Sequence, residues 1–147
     1  MEVLRKEEIY TIDDIYALPD GKRAELIDGK IYYMTPTSTR HQRLVHFFDR
    51  EIGNYIQSKN GECEVFPAPF AVFLNEDDTN YVEPDISVIC NKEKITDQGC
   101  NGAPDWIVDP IKERVTVYGF EKETMEEYSF GEAVPVGIYE GFSIVVR

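Results

Sequence analysis

The sequence has no long hydrophobic run and few cysteines. No apolar stretch approaches the ~20 residues that cross a bilayer, and the charged stretch MEVLRKEEIYTIDD lacks the apolar core of a secretory signal. Cys63, Cys90 and Cys100 are odd in number and form no C-x-x-C pair, which disfavours a disulfide framework or a zinc knuckle. We therefore expect a soluble cytoplasmic protein whose cysteines are free thiols, most of them buried.

Basic side chains are also scarce. The chain has 15 Lys and Arg residues against 28 Asp and Glu residues, a formal net charge of −13. Such a chain has no bulk attraction for nucleic acid, so a DNA contact would need a local basic patch or bridging cations. The sequence contains no G-x-G-x-x-G, Walker or G-x-S-x-G motif, and nothing in it supports a nucleotide cofactor or a serine nucleophile.

The composition is that of one globular domain covering residues 1–147. Hydrophobic residues make up 42% and charged residues 29% of the chain, which is an ordinary balance for a folded domain. The chain is long enough for a single core, and it shows no repeat, low-complexity tract or interdomain linker.

Helices and a hairpin are predicted in the first sixty residues. TIDDIYALPDG, residues 11–21, resembles a capping box followed by a Pro and Gly stop, and predicts a short helix. Its inward-facing residues are expected to be Ile12, Ile15 and Tyr16. Asp28-Gly29 predicts a two-residue hairpin. Residues 37–59 give the strongest helix pattern, which Ser38 or Thr39 can cap. Its apolar stripe consists of Leu44, Phe48, Ile52, Tyr55 and Ile56.

After residue 60 the pattern predicts strands and no amphipathic helix. The β-branched and aromatic runs are CEVFPAPFAVFL, DISVIC, WIVD, RVTVYGF, TMEEYSF and FSIVV. We expect an α+β fold in which two helices from the N-terminal half cover a curved, mostly antiparallel sheet. Because DISVIC and WIVD are apolar on both faces, residues 83–90 and 105–118 would expose apolar surface on the face without a helix. We therefore expect a homodimer, with a strand-swapped pair as one form, that covers this face.

The segment YVEPDISVIC, residues 81–90, carries the most informative polar pattern. Glu83 and Asp85 flank a proline at the start of an apolar run, and residues i and i+2 of a strand share a face. Hydrolytic Mg²⁺ or Mn²⁺ sites need two or three converging carboxylates. The further candidates are Glu25, Asp105 and Asp109, with Lys112 as a group that could stabilise negative charge. Solvated strand ends have the same composition, so the residue types alone leave both interpretations open.

His41 opens the long helix and has two possible roles. It lies between Arg40 and Arg43, where it could contact a phosphate or a water molecule of the site. A surface histidine at a helix start would look the same in sequence. His41 and His46 are five residues apart and share a helix face poorly, which makes them a poor zinc pair.

Several ordered segments resemble the Uma family of restriction endonucleases, a bacterial branch of the P-D-(D/E)-x-K nuclease superfamily. They are YTIDDIYALPDGKRAELIDGKIYYMTPTSTRHQRLVHFF, VEPDISVI, GAPD, WIVDPIKERVTVYGF and YSFGEAVPVGIYEGFSIVV. The resemblance implies a restriction-endonuclease-like core and hydrolysis of DNA phosphodiesters that depends on Mg²⁺ or Mn²⁺. It also implies that Asp85 is the metal-binding aspartate, Glu25 the acidic residue of the first hairpin and His41 the histidine that opens the helix.

The sequence departs from the family after GAPD. In relatives, this segment opens a strand that ends in a catalytic Glu, and a Ser-Pro turn and a Lys-bearing helix follow. Here GAPD runs directly into WIVDP, as an in-frame deletion at a shared WI would produce. Asp109 stands where the family Glu would stand, four residues after Asp105. Pro110 interrupts the strand beyond it, and Lys112 is one residue past the D-x-K register.

Three hypotheses follow from these observations. The chain is a Uma-type nuclease-fold protein that is catalytically impaired or inactive. Alternatively, it is an active Mg²⁺- or Mn²⁺-dependent DNA endonuclease with Asp85, Asp109 and Glu25 as metal ligands, assisted by Lys112 and His41. As a third possibility, it is a non-enzymatic, homo-oligomeric binding module. The charge of −13 and the missing Lys segment favour the first and third hypotheses.

Overall fold

In the computed structural model, the described residues form two α-helices and a series of short strands. The structure describes residues 8–74, 78–111, 114–119, 124–129, 132–135 and 142–145. The helices are α1 (Ile12–Tyr16) and α2 (Thr39–Ser58). The strands are β1 (Arg23–Ile27), β2 (Lys30–Met34), β3 (Glu64–Pro67), β4 (Val72–Phe73), β5 (Ile86–Ile89), β6 (Ile95–Thr96), β7 (Gly99–Asn101), β8 (Trp106–Ile111), β9 (Arg114–Gly119), β10 (Thr124–Ser129), β11 (Ala133–Pro135) and β12 (Ser143–Val145).

The short helix α1 confirms the predicted cap and corrects one predicted core residue. The Asp14 carboxylate accepts a hydrogen bond from the Thr11 backbone N at 2.8 Å, as a capping box requires. Ile15 is buried. Tyr16 is 56% exposed, so the prediction that it faces inward is wrong. The helix is little more than one turn long and ends at this residue.

The hairpin of β1 and β2 forms at Asp28-Gly29, as predicted. Both residues have positive φ values, 49° and 78°, which a tight hairpin turn of this kind needs. The strands pair over five residues, from Arg23 opposite Met34 to Ile27 opposite Lys30. Burial alternates along β1, and its two buried residues are Ala24 and Leu26.

The long helix α2 supplies most of one wall of the main core. Ser38 Oγ caps it by accepting a hydrogen bond from the His41 backbone N at 3.1 Å. The buried residues of the helix are Val45, Phe48, Ile52 and Ile56. The predicted stripe omitted Val45 and included Tyr55, whose ring instead stacks on that of Phe142 with centroids 3.8 Å apart.

A five-stranded antiparallel sheet, in the order β10-β9-β8-β5-β3, packs against α2. Ile86, Val88, Trp106 and Val108 point into the core that they share with the helix. Val134 of β11 and Ile144 of β12 enter the same core. Among the described strand pairs, only β4 with β7 is parallel, which confirms the mostly antiparallel α+β fold.

A second layer of strands covers the other side of β5. Isolated bridges from Leu26 to Tyr81 and from Val72 to Val82 connect the hairpin to a three-stranded sheet of order β4-β7-β6. In this layer, Val72 and Cys100 form a buried cluster with Ile89 of β5. Strand β5 therefore has protein on both faces, and all four of its residues are buried.

This second layer corrects the expectation of an uncovered apolar face. Trp106, Ile107 and Val108 of β8 are also buried, with 0–5% exposure. The sequence pattern was correct in placing these runs inside. The wrong step was to assume that only a helix could cover such a strand, since a layer of short strands covers β5 here. In the described part of the chain, the only helical element after α2 is a 3-10 turn at Lys92–Lys94, and no helix is long and apolar enough to cross a membrane.

Cys63 and Cys90 form a disulfide, which corrects the prediction of free thiols. Cys63 directly precedes β3, and Cys90 directly follows β5. Because Glu64 pairs with Ile89, the antiparallel register places the two cysteines opposite each other, with Cα atoms 3.9 Å apart. They are 27 residues apart in sequence, and no C-x-x-C spacing could reveal the pairing. Cys100 is free and buried.

Candidate functional site

Asp85 and His41 meet at the junction between β5 and α2. Asp85 immediately precedes β5, and His41 lies in the first turn of α2. His41 Nε2 and Asp85 Oδ2 are 3.0 Å apart, and each side chain is 21% exposed. The Ser38 cap fixes the backbone of this first turn. The structure thus brings together two predicted site residues that are 44 positions apart in sequence.

Glu25, a half-buried residue of β1, lies close to this pair. Its Oε1 accepts a hydrogen bond from the Glu83 backbone N at 3.0 Å. Burial raises the pKa of the Glu25 carboxyl, the Glu83 hydrogen bond opposes this, and the negative charges of Glu83 and Asp85 raise it further. Asp85 is therefore near enough to Glu25 for its negative charge to oppose the ionisation of Glu25.

Burial also raises the pKa of Asp85. His41 lowers it through both its charge and its hydrogen bond, and Arg23 lowers it by its charge, but these effects do not offset the burial. A carboxylate whose charged form is disfavoured by burial gains from a bound cation, since the cation supplies a counter-charge.

Glu83 has a different role from the one that its sequence position predicted. Its Oε2 accepts from Arg23 Nε at 2.8 Å and lies 2.7 Å from Arg23 Nη2. Its Oε1 accepts from the Tyr81 hydroxyl at 3.0 Å. Residues 83–85 lie ahead of β5 rather than within a strand, so the expected i, i+2 alternation does not apply. We call Arg23, Tyr81 and Glu83 the clamp, because they fix the segment before Asp85 against β1.

Sequence reasoning missed Arg23 and Tyr81, although a signal for Arg23 was present. Arg23 and Glu25 are two residues apart on β1, and alternating strand residues share a face. No sequence spacing relates Arg23 to Glu83, which is 60 positions away.

Asp109 lies on β8, directly after Val108, which pairs with Ile86 in the last described pair between β5 and β8. The position of the Asp109 side chain, and the whole of Lys112, lie outside the described residues. The predicted roles of Asp109 and Lys112 therefore stay predictions.

Asp105 does not belong to the site. Its Oδ2 accepts from the Cys90 backbone N at 2.6 Å, and its own backbone N donates to the Val88 carbonyl. Cys90 follows the far end of β5 from Asp85. Asp105 therefore ties that end of β5 to the start of β8.

The donors at the site suit a hard divalent cation in type but are few in number. Carboxylate oxygens are the ligands that Mg²⁺ and Mn²⁺ prefer, and Glu25 and Asp85 supply them. Within the described residues, no three His, Cys, Asp or Glu side chains cluster tightly enough to hold a metal. Within the described residues, His41 Nδ1 and Ser87 Oγ are buried side-chain atoms without a hydrogen-bond partner. Such atoms are rare in folded proteins and mark a place where a further polar group fits.

Comparison with known proteins identifies the family of this chain. The model of the Uma2 family, described as "Putative restriction endonuclease", matches residues 12–109. The chain belongs to the Uma2 family. The match includes Glu25, His41, Asp85 and Asp109.

A solved structure shows the same fold. It is a crystal structure from Anabaena variabilis ATCC 29413, described as "a putative nuclease belonging to DUF820". The TM-score is 0.66 at 18% sequence identity, and the similarity covers 92% of this chain and 94% of that one. The restriction-endonuclease-like fold expected from the Uma2 resemblance is thereby confirmed. No curated protein matches the chain.

Proposed function

We propose that this Uma2 protein is a nuclease-fold protein that binds a divalent cation and DNA, and that its phosphodiester hydrolysis is strongly impaired or lost. The observation that carries the proposal is the contact between His41 and Asp85, with Glu25 near enough for the charge of Asp85 to raise its pKa. Two carboxylates with pKa values raised by burial lie in one electrostatic environment, and the histidine orients one of them.

Each described residue has a distinct part in this proposal. Glu25 and Asp85 hold a Mg²⁺ or Mn²⁺ ion, and Asp109 is the third carboxylate that the sequence pattern offers. His41 fixes the orientation of Asp85, in the way that hydrogen-bond partners orient metal-ligating carboxylates. Bound in this way, the cation would polarise a phosphate and lower the pKa of a bound water.

The impairment follows from the departure after GAPD. The family pattern supplies a Glu and a Lys from a strand and a helix that this sequence does not contain. Asp109 and Lys112 are the available substitutes. Pro110 follows Asp109 within β8, and Lys112 is one residue beyond the register that a D-x-K site needs. Loss of one essential group from a catalytic constellation costs on the order of several powers of ten in rate.

Calorimetric titration of Mn²⁺ tests the cation site. We expect saturable binding to the wild-type chain and loss of that binding in Asp85→Asn, which keeps the size and removes the charge. Asp49→Asn is the matched control. Asp49 is another partly buried carboxylate with a pKa raised by burial, and it lies on α2 eight residues beyond His41. An unchanged Mn²⁺ isotherm in Asp85→Asn would contradict the site.

Cleavage of supercoiled and linear DNA tests the catalytic part. With Mg²⁺ or Mn²⁺ present, we expect no cleavage above that of the Asp85→Asn variant. Cleavage that is lost in both Asp85→Asn and Asp109→Asn would instead establish the active endonuclease, with Asp109 and Lys112 completing the site. Absence of both Mn²⁺ binding and DNA binding would leave the non-enzymatic binding module as the remaining hypothesis.

A further inference from the structure

An exposed aromatic side chain lies directly beside the acidic site. In the hairpin, Tyr32 of β2 pairs with Glu25 of β1. Directly opposite residues of an antiparallel pair share a face, with Cβ atoms about 5 Å apart. Tyr32 is therefore on the face that presents Glu25, and it is 51% exposed. The next tyrosine, Tyr33, pairs with the buried Ala24 and belongs to the opposite face.

The face that carries Tyr32 also has apolar and basic character. Ile27, 41% exposed, pairs with Lys30 at the turn end of the hairpin, and Met34 pairs with Arg23 at the other end. Ile27 and Lys30 thus lie on one side of Glu25 along the hairpin, and Arg23 and Met34 lie on the other. The exposed ring of Tyr32 is therefore available to a partner that also contacts Glu25.

The net charge of the protein limits which contacts a nucleic-acid partner could make. At a net charge of −13, contacts to phosphates alone would be opposed by the field of the protein, except where a cation bridges them. Stacking of a base on an aromatic ring does not need a positive surface. It accounts for much of the binding of single strands, in which the bases are free to leave the helix stack.

We infer that Tyr32 is a base-stacking residue that holds single-stranded DNA at the Glu25–Asp85 site. This inference rests on the proposed function, because a cation held by Glu25 and Asp85 would supply the positive charge that a DNA phosphate needs at this site. Binding would therefore strengthen as divalent cation is added. Duplex DNA, whose bases are already stacked on each other, would bind more weakly than a single strand.

The test is the fluorescence anisotropy of a labelled oligodeoxythymidine of about 15 nucleotides titrated with the full chain in Ca²⁺. Tyr32→Ser should weaken the Kd roughly 5- to 100-fold, which is what the loss of one base–aromatic stack implies. Tyr32→Phe should retain the affinity, because its ring still stacks. Tyr33→Ser, which removes an exposed tyrosine from the other face, is the matched control and should bind like the wild type.

Each contrary result has a defined meaning. Equal affinity of Tyr32→Ser and the wild type would overturn the inference while DNA binding by the protein remained. Binding of duplex DNA in preference to the single strand would also overturn it. A change of molecular mass in Tyr32→Ser would assign the residue to a contact between copies of the chain instead. If the wild type binds neither Mn²⁺ nor DNA, the proposed function is contradicted as well.

Discussion

At the scale of single residues, the acids of this protein divide into two groups with opposite environments. The charge of Glu83 is balanced by Arg23, and its carboxylate also accepts a hydrogen bond from the Tyr81 hydroxyl. Glu25 and Asp85 instead keep carboxyl groups whose charged forms are disfavoured by burial. The first arrangement stabilises the fold, whereas the second costs stability at neutral pH and is typical of functional sites.

The clamp predicts a measurable coupling between Arg23 and Glu83. The Glu83 side chain is only 10% exposed, and Arg23 is 41% exposed. Arg23→Met should lower the free energy of unfolding by about 1–3 kcal/mol, because it leaves a nearly buried carboxylate without its cation. Glu83→Gln added to Arg23→Met should restore part of that loss. Urea denaturation of the two single variants and the double variant measures the coupling, and purely additive losses would contradict it.

Glu25 predicts a pH-dependent stability. Because burial raises its pKa above that of the unfolded chain, the folded protein retains a proton at pH values where the unfolded chain has released it. The free energy of unfolding therefore falls as the pH rises through this window. Glu25→Gln keeps an acceptor for the Glu83 backbone N and removes the charge, so it should be more stable than wild type at about pH 7 and equal to it at about pH 3.

Denaturant titrations at these two pH values check this expectation for Glu25. Adding Mn²⁺ at neutral pH should stabilise the wild type and leave Glu25→Gln unchanged, since only a folded state that binds the ion is stabilised. A wild type that is more stable than Glu25→Gln at neutral pH without metal would contradict the prediction.

At the scale of elements, three connections hold the segment that carries Asp85. β5 is paired on one edge with β3 and on the other with β8. The Cys63–Cys90 disulfide closes the β3–β5 pair at one end. At the other end, the Ala68 backbone N donates to the Asp85 carbonyl at 2.9 Å. The backbone at Asp85 is therefore supported by the five-stranded sheet. The side chains of the candidate site come from β1, from α2 and from the residue before β5.

The disulfide predicts a stability that depends on reductant. With a separation of 27 residues between the cysteines, loss of the cross-link should lower the free energy of unfolding by about 3 kcal/mol on the chain-entropy model. The measurement is denaturation with and without dithiothreitol. A variant carrying both Cys63→Ser and Cys90→Ser should be insensitive to the reductant, and equal stability of the oxidised and reduced wild type would contradict the prediction.

At the scale of the whole molecule, the two strand layers change the argument about self-association. The predicted homodimer was to cover an apolar face at residues 83–90 and 105–118, but the described side chains of β5 and β8 are buried within one chain. Several exposed apolar side chains lie instead on the hairpin, namely Ile27, Tyr32 and Tyr33.

The homodimer stays a prediction that light scattering at micromolar concentration tests. Twice the chain mass of 16.9 kDa would support it. If such a dimer forms, we expect exposed side chains of the hairpin rather than β5 to make its interface, so Tyr33→Ser or Ile27→Ser should weaken it. A mass of one chain at that concentration would contradict the dimer.

The sequence alone determined the local elements of this protein. The capping box at Thr11, the Asp28-Gly29 turn and the Ser38 cap each depend on residues within a few positions of one another. Hydrophobic periodicity likewise identified α2, and the ordered motifs identified the family. Short-range geometry decides these features, so a linear pattern contains them.

Only the tertiary structure decided which distant groups meet. The Arg23–Glu83 pair, the Cys63–Cys90 disulfide and the contact between His41 and Asp85 join residues 60, 27 and 44 positions apart. The covering of β5 by a second strand layer is of the same kind. Strand register and layer packing set these distances, and both depend on the burial of the whole chain rather than on any local spacing.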